Sequence, residues 1–141
     1  PRDPRAPLLD APSLRFIFVT GGVKALLGVA LLLGLPRTGA GLTITRTAVF
    51  LYESIAQLVF AYPSRRVSVI PRPNLALHLA VAFGIGLQVL TVAVPALREL
   101  LGLDVPGFAV FMWTAAAILV TWTVAEAYSR LTLPGRSGKR R

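Results

Sequence analysis

Apolar positions fill four long stretches of this chain, over residues 16–35, 47–62, 75–97 and 108–128. The segments between them are short and carry Pro, Gly and Arg. Each stretch approaches the roughly 20 apolar residues that a helix needs to cross a bilayer. The pattern predicts an all-α, polytopic membrane protein with four transmembrane helices in an antiparallel bundle. The second stretch is the shortest and weakest, because Glu53 and Gln57 interrupt it. It is counted as a span because an unpaired crossing would leave the topology inconsistent.

Local punctuation divides the chain. Pro1, Pro4, Pro7 and Pro12 disfavour a regular helix and predict an extended arm over residues 1–14. The bundle then occupies residues 15–131, with helices over about 15–35, 45–62, 74–97 and 106–130. Gly34-Leu35-Pro36 stops the first helix, and a Gly-rich turn over 38–41 leads to Thr45 as a cap for the second. Tyr62-Pro63-Ser64 ends the second. Asn74 caps the third, Pro95 kinks or stops it, and Asp104 caps the fourth. A basic, disordered tail follows over 132–141.

With 55% hydrophobic and 15% charged residues, the chain lacks the charged faces that a soluble domain of this size would show. The 141 residues suffice for one compact four-helix unit. Cysteine is absent, which excludes disulfides, thiolate metal sites and cysteine nucleophiles. A net charge of +9 would suit nucleic acid on a soluble domain, but here the basic residues sit in loops and tails, so no nucleic-acid partner is expected. They set orientation instead. Arg2, Arg5 and Arg15 precede the first span, Arg65, Arg66 and Arg72 lie in the middle loop, and Arg130, Arg136, Lys139, Arg140 and Arg141 close the chain. The other two loops offer Arg37, Arg46 and Arg98, diluted by Glu99 and Asp104. Enrichment of Lys and Arg on the cytoplasmic side places both termini there. No cleavage site marks the N-terminal segment as a signal peptide, and a start at Pro1 rather than Met suggests an excised or processed piece.

Lys24, Glu53, Gln57, Gln88 and Glu126 are the side chains within the spans best suited to carry chemistry. Lys24 lies nine residues from Arg15, and Glu53 nine residues from Tyr62. At a rise of about 1.5 Å per residue, both sit roughly 13 Å from the same side. A structural Lys24–Glu53 ion pair follows; the alternatives are a lysine that snorkels alone and a direct part in an ion path. Glu53 and Gln57 are four residues apart and share a helix face. Two oxygen-bearing side chains on one face make a candidate cation site, because hard cations take oxygen ligands. Two ligands do not hold an ion by themselves.

Gln88 is read as an interhelical hydrogen-bonding residue, and Glu126 as the partner of Arg130 in a surface pair. His78 has no second His, Cys or Asp at ligand spacing. Gly21, Ala25 and Gly28 on the first helix, and Ala80 and Gly84 on the third, form small-residue stripes that suit close helix contact.

The order of these features resembles the last four membrane helices of P-type cation-transporting ATPases. Pro1-Arg2-Asp3-Pro4 with Leu8-Leu9 is similar to the loop after the sixth membrane helix, and Arg46-Thr47-Ala48-Val49-Phe50 with Gln57-Leu58 to the eighth helix of the calcium-type pumps. Asn74, Gln88 and Pro95 with Leu101-Gly102 resemble the ninth, and Trp113 with Glu126 the tenth. The resemblance implies a supporting membrane bundle that braces the transport helices and contributes Gln57 to an ion site. It implies a bacterial plasma-membrane location, the lipid bilayer and the N-terminal part of a P-type ATPase or another membrane subunit as partners, and calcium or a similar cation only with the missing helices. Phe60 and Pro63 stand where bacterial relatives often have Asn, and Lys24 departs from the family pattern.

The Asp-Lys-Thr-Gly motif and the nucleotide and actuator domains are absent from this sequence, so the chain alone has no route to an aspartyl-phosphate and no cofactor. A free-standing membrane binding or assembly subunit derived from the same unit is the alternative function. A small oligomeric transporter is a third, disfavoured by the few polar residues on any face.

Overall fold

The computed structural model describes residues 11–68 and 74–132, all helix and connecting loop, with no strand among them. The arm over 1–10, the 69–73 stretch and the tail over 133–141 lie outside the described residues. The first helix, α1, spans Ala11–Gly34. It starts earlier than the proline pattern predicts. Pro12 falls in its first turn, where a backbone N–H has no intrahelical partner to lose. A 3-10 turn over Leu35–Thr38 closes it, and Gly39 at φ 88° supplies the left-handed cap that a side chain would strain.

Helix α2 spans Leu42–Val59 and begins after Gly41. Thr45, expected as the cap, lies one turn inside, where its hydroxyl donates to the Gly41 carbonyl at 3.1 Å. After a break at Phe60 the chain re-enters helix as α3, Ala61–Ser68. Pro63 therefore does not end the helical run as the sequence suggested; it occupies the first turn of a new short helix, where proline is tolerated.

Helix α4, Leu75–Ala93, is capped by Asn74, whose side-chain oxygen accepts from Leu77 N at 3.2 Å. It stops at Val94, held extended at ψ 117° because the following Pro95 disfavours helical geometry there. Pro95 then opens α5, Pro95–Leu101, which ends at Gly102 with φ 61°. Helix α6, Phe108–Thr132, is the longest. Asp104 does not cap it. Asp104 accepts from Val105 N at 2.7 Å, and its own N–H donates to Thr47 Oγ1 at 2.9 Å, tying the loop to α2.

Helix α2 is the hub. It packs against α1, α4 and α6, and α1 also packs against α6. Leu31, Leu35, Ala48, Tyr52, Ala56 and Ala117 form the core, with Leu27, Val49, Val110 and Ile118 against it. Among the described residues, three helical segments are long and apolar enough to cross a membrane: Ser13–Thr38, Leu75–Ala93 and Phe108–Thr132. Most of each is exposed, so their apolar sides face outward rather than into a core. A helix apolar all round suits a lipid or helix environment, not water. Helix α2 is not among the three. Arg46, Glu53, Gln57 and three threonines lower its apolarity, and its apolar side is the one that is buried.

Candidate functional site

Helices α1 and α2 approach closely at Gly28. A Cβ there would lie 2.7 Å from Glu53 Oε1 and 3.4 Å from the Tyr52 ring, so a side chain at this position would displace the Glu53 carboxylate. Lys24 sits one turn before Gly28 on the same face. Its Nζ is 2.6 Å from Glu53 Oε2 and donates to Gln57 Oε1 at 3.2 Å. The structure thus brings together Lys24, Glu53 and Gln57, with the ammonium between the two oxygen-bearing side chains of α2. Lys24 is 16% exposed, whereas Glu53 is 44% exposed, and Gln57 is exposed as well. The carboxylate and amide therefore look outward from the bundle, while the lysine stem is packed inside it.

Tyr52 carries this site into the core. It is fully buried, and its hydroxyl donates to the Lys24 carbonyl at 2.9 Å. A phenol has one proton to give. With that proton on the carbonyl, the oxygen accepts from Thr121 Oγ1 at 2.8 Å. One oxygen so joins α1, α2 and α6. Sequence reasoning missed Tyr52 and Thr121. The available signal was position: Tyr62 and Tyr128 fall near helix ends, whereas Tyr52 lies deep in α2, where a buried phenol needs a polar partner.

The other polar residues stand apart from this cluster. Gln88 does not bridge helices through its amide oxygen, which is buried and has no hydrogen-bond partner among the described residues. Glu126 accepts from Arg130 Nε at 2.8 Å, an i,i+4 pair in which the carboxylate is buried and the guanidinium exposed. His78 stacks on Tyr62 at 5.4 Å between ring centroids, with 3.1 Å between Nδ1 and the phenol oxygen, which links α3 to α4. No group of three His, Cys, Asp or Glu gathers at metal-binding range among the described residues. The small-residue stripes divide between inner and outer faces. Gly28 is filled by α2 and Gly84 by Leu58, whereas Gly21 and Gly22 face open space.

Chemically, the site presents a fixed positive charge matched to a carboxylate, with an amide beside them. It offers no nucleophile aligned with a base and no phosphate-binding loop among the described residues. Residues 1–131 match the family described as Cation transporting ATPase, C-terminus. No curated protein and no solved structure matches the chain.

Proposed function

The chain belongs to the cation-transporting ATPase C-terminal family, and on that premise we propose that it is the supporting membrane bundle of a cation pump. In this reading α1, α2, α4 and α6 are four antiparallel membrane helices, both termini are cytoplasmic, and the bundle braces the helices that carry ions. Antiparallel α1 and α2 are supported by their pairings: Lys24 meets Gln57, and Gly28, later in α1, meets Tyr52 and Glu53, earlier in α2.

One observation carries the bracing role. Glu53 is nearly half exposed and Gln57 is exposed, on the outer side of the α1–α2 pair. Lipid gives such groups no hydrogen bonds, and ionisable side chains at that depth are costly unless they face other helices or water. The α1–α2 face is therefore a docking face for helices with polar side chains, which the rest of a pump supplies. Gly21, Gly22 and Ala25 beside it are exposed, and the two glycines meet nothing within 4 Å, so a neighbouring backbone can approach closely.

Glu53 and Gln57 are also the two side chains through which the bundle reaches an ion path. The Lys24 ammonium takes the place a cation would hold between them, so a cation such as calcium gains these oxygens only with ligands from the other helices. The family match concerns the membrane C-terminus, and the chain by itself is catalytically silent in this reading.

Co-expression with the remainder of a cation pump as a separate polypeptide tests the proposal. The two chains should co-purify and together hydrolyse ATP in a cation-dependent manner. Cation flux through vesicles containing this chain alone would overturn it.

A further inference from the structure

Beside the end of α2, a cleft of about 670 Å³ runs between α6 and the α2–α3 junction. Its floor is apolar, formed by Val59, Ile118 and Trp122 among others, and polar groups collect at one end, Tyr62, Glu126 and Arg130. We propose that this cleft is a binding site for an anionic glycerophospholipid, with the acyl chain along the apolar floor and the phosphate on Arg130.

Three observations fit that occupant. The first is length. The lining residues run from Ala115 to Arg130 on α6, which is about 22 Å at a rise of about 1.5 Å per residue. A bilayer is roughly 40–45 Å thick with its headgroups, so one leaflet is about 20–22 Å, the same span. The second is polarity. An apolar run with polar groups at one end only is the pattern of a single amphiphile.

A crossing helix would need an apolar contact over both leaflets. The third observation is charge. Arg130 is 63% exposed and gives Nε to Glu126, which orients the guanidinium. That fork suits a phosphate.

Trp122 reports on the site directly. The chain has two tryptophans, so Trp113→Phe leaves Trp122 as the sole fluorophore. The full chain is placed in phosphatidylcholine vesicles with rising fractions of brominated-chain phosphatidylglycerol, or of brominated-chain phosphatidylcholine. Phosphatidylglycerol should quench Trp122 at about fivefold lower mole fraction, the preference that one arginine near a charged surface supplies. Arg130→Gln should remove most of that preference while the far-ultraviolet circular dichroism stays unchanged. Equal quenching by the two lipids overturns the proposal without recourse to any variant. So does an unchanged preference in a folded Arg130→Gln protein. Absence of quenching by either lipid would mean that protein, a second copy or another helix, fills the cleft.

Discussion

Replacing Tyr52 by Phe removes one oxygen from a fully buried position and changes no other contact in shape. That oxygen bonds both the Lys24 carbonyl and the Thr121 hydroxyl, so the substitution cuts the polar link among α1, α2 and α6. The cost depends on what the stranded groups do next. The Lys24 carbonyl lies inside α1 and keeps its helical acceptor role. Thr121 can turn its hydroxyl onto its own helix, as Thr114 does to the Val110 carbonyl at 2.9 Å. Both groups thus have an alternative, and the loss falls near 1 kcal/mol rather than the roughly 3 kcal/mol upper range for a buried group left unsatisfied.

Polar contacts between membrane helices average about 0.6 kcal/mol with a ceiling of about 1.7, which agrees. Tyr52→Ala removes the ring as well and should cost about 3–5 kcal/mol. The assay is reversible unfolding in mixed micelles for wild type, Tyr52→Phe, Thr121→Val and the double variant. A coupling of about 0.5–1.5 kcal/mol is expected for residues that share a hydrogen bond. Strictly additive single effects would refute the bridge and with it the three-helix link.

Lys24→Met and Glu53→Gln should each destabilise the chain in detergent, and the double variant should lose about 1–2 kcal/mol less than their sum, because either single change leaves a charge without its partner. Gly84→Val drives a side chain into the Leu58 methyls, 2.9 Å from a Cβ at that position, and should loosen α4 by about 1–3 kcal/mol, read as faster proteolysis after the α2–α3 segment. Gly102→Ala keeps its space but strains a φ of 61°, and should lower thermal stability by about 1 kcal/mol. Cysteines introduced at Gly39 and Gly102 should react with an impermeant thiol reagent from outside the cell, and one at Ser68 should not; labelling at Ser68 would contradict cytoplasmic termini.

The uniform apolarity of α1, α4 and α6 made these helices legible in sequence, because a run that long needs no partner pattern to be recognised. Helix α2 was legible as a helix, but its polar residues keep it below the apolar length of a span. Its packing on three neighbours, not its hydropathy, makes it the hub. Residue counting from the helix ends put Lys24 and Glu53 at one depth, and the structure sets them 2.6 Å apart. The restart of the chain as α3 was hidden because Pro63 reads equally as a stop or as a first-turn residue. The Tyr52–Thr121 contact was hidden for a different reason. Threonines in helices usually bond their own backbone, as Thr20 and Thr123 do, so sequence gives no cause to pair one with a tyrosine 69 positions away. Gln88 ran the other way, with an expected bridging amide whose oxygen finds no partner within the described residues.

The bracing account rests on the exposed Glu53 and Gln57 face, and site-directed photocrosslinking tests it most directly. A photoreactive residue in place of Gln57 or Gly21, in the chain co-expressed with the remainder of a cation pump, should yield a covalent adduct with that second polypeptide. The same residue in place of Phe108, at the exposed start of α6, should yield little. Adducts with lipid alone at residues 21 and 57, beside an intact co-purified pump, would contradict docking through α1 and α2.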